Sequence, residues 1–185
     1  EEGCQTIPVD ELARPKLEFL KRSLSDRTVL VAAMHANNEL GTITDVRAIA
    51  DLGHQHEAVF SCDAVQTFPW CNGKRWTVDE LRADLLAVSA HKLGGPKGVG
   101  ALYVRSGTRI EPTMLGGGQE REMRAGTENV AAIVGFAAAL QASLNDPTQD
   151  DRLRSARDAF RRALIEEDTP KLHLMPEAPD VLPGH

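Results

Sequence analysis

Three short clusters in this sequence combine residue types that can do chemistry. The first is Ser89-Ala-His-Lys-Leu-Gly-Gly-Pro-Lys-Gly-Val-Gly100, a lysine beside two polar donors in a glycine-rich stretch. Its glycines and proline let the backbone turn tightly and approach a ligand closely. Lys92 follows an apolar run, where desolvation would favour the uncharged, nucleophilic amine. Such an amine suits Schiff-base formation with an aldehyde, and Ser89 and His91 can donate to a phosphate beside it. An isolated His-Lys pair is more commonly a surface feature of a flexible loop. A nucleotide-binding loop fits poorly, because Lys97 is followed by Gly98 where that motif needs Ser or Thr. The second cluster is Cys62-Asp-Ala-Val-Gln66. A carboxylate ending an apolar strand needs a cationic partner or several donors, and a protonated pyridine nitrogen would be such a partner. Gln66 could donate to a phenolic oxygen on the same ring. Taken alone, Asp63 reads equally well as a helix cap. The third cluster, His35-Ala-Asn-Asn-Glu-Leu-Gly-Thr42, is either a polar turn held by asparagine side chains or a place where they meet a ring substituent.

Each cluster follows a run that reads as a strand. Thr28–Met34 is continuously apolar, as in a strand buried on both faces. Ala58–Cys62, Asp84–Val88 and Val99–Val104 read as further strands. Asp45 is placed to cap a helix running to about His54. Glu128–Leu144 is Ala-rich and helical in pattern, and Asp151–Glu167 is amphipathic, with a break at Asn145–Gln149. This alternation indicates an α/β fold with a mainly parallel sheet flanked by helices. Ligands of open α/β sheets bind beyond the carboxyl ends of the strands, so all three clusters should face one rim.

The bulk composition is that of a globular chain: 185 residues, 42% hydrophobic and 26% charged, with a formal net charge of -6. Nothing in it points to nucleic acid or an anionic membrane as a partner, and no apolar run is long enough to span a bilayer. The three cysteines, Cys4, Cys62 and Cys71, lack paired spacing, which suggests reduced thiols in a cytoplasmic setting. Cys62 reads as a small buried apolar residue and Cys71 as a loop thiol. His54 and His56, two apart on a helix end, fall on different faces, so no metal site is expected. The chain opens on Glu1 with Cys4–Pro8 resembling a strand end. It closes with Lys171–Met175 resembling the start of another strand. It therefore reads as part of a longer protein.

In their order, Met34-His-Ala-Asn-Asn-Glu-Leu-Gly-Thr-Ile43, Cys62-Asp-Ala-Val-Gln66, the Ser89–Val104 stretch and Gly116-Gly-Gly-Gln-Glu-Arg-Glu-Met-Arg-Ala-Gly-Thr-Glu-Asn129 resemble the cysteine desulfurases. These are class V aminotransferase relatives within fold-type I pyridoxal-phosphate enzymes, and the likeness is to the NifS/IscS-like branch. The resemblance implies that residues 1–168 are a partial cofactor-binding large domain and 169–185 the start of a C-terminal small domain. It implies pyridoxal 5'-phosphate bound through Lys92. Asp63 would meet the ring nitrogen, Gln66 and Asn38 the phenolic oxygen, and Ser89 and His91 the phosphate. Thr127 would reach the phosphate of the other subunit of a homodimer. The implied reaction converts L-cysteine to L-alanine and passes sulfur to an enzyme cysteine, supplying iron-sulfur cluster or thio-cofactor assembly through an acceptor or scaffold protein. Selenocysteine lyase activity and a non-catalytic scaffold are the alternatives. The persulfide-forming cysteine and the carboxylate-binding arginine of that family have no counterpart in this chain.

Overall fold

The computed structural model describes residues 3–71, 73–166 and 180–185. The ordered elements are α1 (Leu17–Ser23), β1 (Leu30–Met34), α2 (Val46–His54), β2 (Val59–Asp63), β3 (Leu85–Ser89), β4 (Gly100–Val104), α3 (Val130–Leu144) and α4 (Gln149–Glu166). The four strands form one sheet in sequence order. β1, β2 and β3 run parallel, and β4 returns antiparallel to β3. The sheet is thus mainly parallel, as the sequence indicated.

Helix α2 begins where Asp45 suggests. The Asp45 carboxylate accepts a hydrogen bond from the Ala48 N–H at 3.0 Å, which satisfies an otherwise free donor of the first turn. The helix lays Val46, Ile49 and Ala50 against Val31, Phe60, Cys62 and Leu86 of the sheet. Full burial of a residue such as Ile49 contributes roughly 1.5–3 kcal/mol. Asn129 caps α3 in the same manner, accepting from Ala132 N–H at 3.1 Å.

Several expectations need correction. β1 is covered on one face only: Val31 is buried, whereas Leu30 is 52% exposed, as is Leu102 of β4 at 56%. Among the described residues, α1 and α2 cover one face of the sheet and the other is open. Cys4–Pro8 forms no strand; the chain there makes only an isolated bridge between Val9 and Pro15. The possible strand at Lys171–Met175 and the proposed domain boundary near residue 168 lie outside the described residues.

Polar side chains tie both ends of the sheet. At the amino end of β3, Asp84 accepts from the Phe60 N–H and meets His54 Nε2, both at 2.8 Å, and Arg105 Nε lies 3.5 Å away. This carboxylate joins α2, β2, β3 and the end of β4. At the carboxyl end, His35 is 2% exposed. Its ring Nδ1 lies 2.9 Å from Thr67 Oγ1, and Trp76 packs on it edge to face at 5.4 Å and 89°. Burial lowers its pKa from 6.5 to about 4, so the imidazole is neutral at neutral pH.

Two outcomes follow. Replacing Asp84 by Ala strands a buried N–H and a histidine at once, and should lower unfolding free energy by about 2–3 kcal/mol in chemical denaturation. Asp84→Asn should cost less. For His35, the unfolded chain binds a proton more readily than the folded one between the two pKa values. Its contribution is therefore complete above pH 6.5 and is lost as pH falls toward 4, by up to about 3 kcal/mol. The difference between the parent and His35→Asn in unfolding free energy against pH should show that limb, and a flat difference would refute it.

Candidate functional site

Parallel pairing brings the strand ends together. Met34 lies opposite Asp63, and Asp63 opposite Ala87. Ser89 is two residues further along β3, so Asp63, Ala87 and Ser89 present side chains to the same face. That face is the open one, because Phe60, Cys62 and Leu86 point to the covered side. The three clusters therefore meet at one rim.

Beyond Ser89 the chain turns at once into a 3-10 helix, Ala90–Leu93, which carries Lys92. Ala90 is fully buried and its N–H donates to Val99 O at 3.1 Å, fixing the root of the loop. Gly94 ends the turn in the left-handed region at φ 79°, a conformation that other residues adopt at a cost. Helix α3 supports the loop from behind. A Cβ at Gly135 would lie 2.7 Å from Pro96 Cγ, so only glycine permits this approach. The Lys92 side chain is exposed rather than desolvated as expected from the apolar run, because it projects from the rim instead of following β3 into the core. Ser89 Oγ and His91 Nδ1 are 2.6 Å apart, a coupled pair of polar groups beside the lysine.

Asp63 is also exposed. Its Oδ1 accepts from Val65 N–H at 2.9 Å, and no cation pairs with it among the described residues. The helix-cap alternative fails, since a turn and not an α-helix follows. Half-buried Gln66 sits in that turn. The two asparagines divide their tasks. Asn37 Oδ1 accepts from the N–H groups of Glu39 and Leu40, both at 2.9 Å, and so builds the turn. Asn38 is exposed at the rim. Thr127 is exposed in the loop that leads into α3. This arrangement offers an accessible amine, an unpaired carboxylate and a hydroxyl–imidazole pair at one sheet edge. It fits an aldehyde cofactor with a cationic ring and a phosphate.

The cysteines divide by burial. Cys62 is buried as expected, and desolvation with the charge of Asp63 pushes its thiol to about 12. Cys71 is 2% exposed, not a free loop thiol, because it packs with Ala36 and Leu182; burial raises it to about 11. Both are thiols, not thiolates, at neutral pH. Sequence reasoning missed the packing of Asp180–His185 on the asparagine turn. There Ile43 N–H donates to Asp180 O and Leu182 N–H to Gly41 O, each at 2.8 Å, and His185 Nε2 lies 3.2 Å from Asn38 O. The only sequence signal was the apolar pair Val181-Leu182 after a polar stretch.

Comparison with known proteins agrees with this geometry. The family model described as aminotransferase class-V matches residues 3–157. A curated relative, cysteine desulfurase IscS of Dictyoglomus turgidum, is 44% identical over 157 residues, which is 84% of this chain and 39% of the relative. The chain thus spans well under half the length of that relative. Among solved structures, a NifS-like protein superposes with a TM-score of 0.86 at 35% identity, covering 97% of this chain and 48% of the other. A structure described as SspA in complex with cysteine superposes at 0.68 and 34% identity, covering 75% of this chain and 39% of the other. With the family model spanning most of its length and the strand-end clusters meeting at one rim, the chain belongs to the class-V aminotransferase family.

Proposed function

We propose that this chain is the cofactor-binding part of a pyridoxal-phosphate-dependent cysteine desulfurase. The observation that carries the reading is Lys92, exposed one turn beyond β3, at the rim that also holds the unpaired Asp63 carboxylate. The cysteine desulfurase name of the relatives and the cysteine complex of a structural neighbour support L-cysteine as substrate. Lys92 would hold the cofactor aldehyde, Asp63 its ring nitrogen, Gln66 and Asn38 its phenolic oxygen, and Ser89 with His91 its phosphate. Thr127 would reach the phosphate held by the second subunit of a homodimer. When bound, pyridoxal phosphate supplies an electron sink for charge developing at the substrate α-carbon.

The residues of the chain then have defined tasks. Lys92 Nζ removes the proton from the substrate α-carbon and returns one to the carbon skeleton. The Asp63 carboxylate would accept a hydrogen bond from the ring nitrogen. The net reaction transfers the sulfur of L-cysteine to an enzyme thiol, which becomes a persulfide, and leaves L-alanine. With Cys62 and Cys71 buried and protonated, and exposed Cys4 belonging to none of the three rim clusters, the attacking thiolate would belong to the longer protein that carries this chain. Residues 169–185 would begin its small domain. Sulfur would pass to an acceptor or iron-sulfur scaffold protein in the cytoplasm. No helix among the described residues is long and apolar enough to cross a membrane.

The longer protein with added pyridoxal phosphate should show a visible absorbance band that borohydride abolishes, with the label on Lys92. Lys92→Ala should lose the band and lower alanine release by about 10²–10⁴-fold or more. A persistent band in that variant would overturn the assignment. The 185-residue chain alone should release no alanine catalytically; measured turnover would show that the sulfur acceptor lies within it.

A further inference from the structure

The proposed reaction assigns no task to His35, yet its contacts join two of the three rim clusters, the asparagine turn and the turn after Asp63. Its backbone N–H donates to Asp63 O at 2.8 Å, and its carbonyl accepts from Thr44 N–H at 2.8 Å. Its ring Nδ1 meets Thr67 Oγ1 at 2.9 Å. Thr67 directly follows Gln66, and closes the turn through its N–H to Ala64 O at 3.1 Å. The same turn holds the Asp63 carboxylate through the Val65 N–H. Two residues after His35, Asn37 builds the turn that presents Asn38.

A leucine at position 35 would fill similar volume without the cost of burying an imidazole. The histidine is instead joined to a threonine that is itself 3% exposed, and a satisfied buried polar pair fixes one arrangement where an apolar contact permits several. Trp76 packs edge-on against the ring and limits its rotation. The ring lines a cavity of about 680 Å³ that also holds Arg14, Arg47, Lys74, Asp45, Glu80 and Asp180. Burial keeps the ring neutral among these charges at neutral pH, so it acts through its hydrogen bond.

We infer that His35 is a positioning residue of the cofactor site. Its bond to Thr67 sets the turn Ala64–Thr67 and so aims the Asp63 carboxylate and Gln66 amide at the cofactor ring. The inference rests on the functional reading above and adds a residue to it.

The test uses the longer protein loaded with pyridoxal phosphate and compares His35→Leu, His35→Asn, Thr67→Val and Thr67→Ser. An asparagine amide can donate or accept at the Nδ1 position, so His35→Asn keeps the bond whichever ring nitrogen carries the proton. Thr67→Val removes it with little change of shape. The readouts are the pH midpoint of the visible band, and kcat and KM for L-cysteine. His35→Leu and Thr67→Val should move the midpoint by about half a pH unit or more. They should lower kcat about tenfold, with KM changing less than roughly threefold. His35→Asn and Thr67→Ser should stay near the parent in both. Should His35→Leu fail to fold, Thr67→Val decides the matter. A parent protein with a normal borohydride-sensitive band, and variants whose midpoint and kcat are unchanged while only Tm falls, would overturn the positioning role alone. A parent without the band would overturn the functional reading and this inference with it.

Discussion

The parallel hydrogen bonding of β2 to both of its neighbours is the constraint from which the site follows. Because β1, β2 and β3 point the same way, their carboxyl ends finish together. Side-chain alternation then puts Asp63 and Ser89 on the open face. A one-residue slip of β2 would exchange the two faces. Asp63 would enter the layer occupied by Phe60, where an unpaired carboxylate costs several kcal/mol. Apolar packing of Phe60 and Cys62 against α2 therefore protects the register and, through it, the direction of the Asp63 carboxylate.

The two ends of the sheet use acidic residues in opposite ways. Asp84, at the amino end, has both oxygens engaged by His54, Arg105 and the Phe60 N–H. It ties four elements together. Asp63, at the carboxyl end, keeps one local hydrogen bond and no charged partner among the described residues. Local rules that are satisfied at Asp84 are left open at Asp63, the pattern expected where a fold exchanges stability for binding.

Much of this was legible in the sequence because it depends on local chemistry. Asp45 caps α2, the glycine-rich stretch turns at Gly94, and strand ends carry the three polar clusters. What was not legible depends on residues far apart in the chain. The apolar Thr28–Met34 run reads as buried on both faces, but hydropathy does not reveal that the described helices cover only one. Lys92 follows an apolar strand, yet a 3-10 turn carries it out of the core. Cys71 looked like a loop thiol until Leu182 and Ala36 closed over it. His35 was read as part of an asparagine turn. Its bond to Thr67 crosses 32 residues, and no periodicity records such a pairing. Placements that follow from residue type and local sequence were therefore accessible, whereas contacts set by tertiary packing were not.

The same carboxylate also bears on which cysteine can take sulfur. Cys62 precedes Asp63 on β2 and faces the opposite, covered side. Burial and the neighbouring negative charge raise its thiol to about 12, so about one molecule in 10⁵ would carry a thiolate at neutral pH. A carboxylate at Asp63 is what a cationic cofactor ring would require, and it adds to the burial that suppresses the adjacent thiolate. Under the proposed reaction, the strand that would anchor the ring therefore cannot supply the nucleophile. Cys71 is held down by burial in the same way, on a separate cluster behind the asparagine turn. Under the proposed reaction, cofactor anchoring and sulfur capture must be assigned to different parts of the protein: a rigid sheet edge for the first, and a solvent-accessible thiol free of that carboxylate for the second.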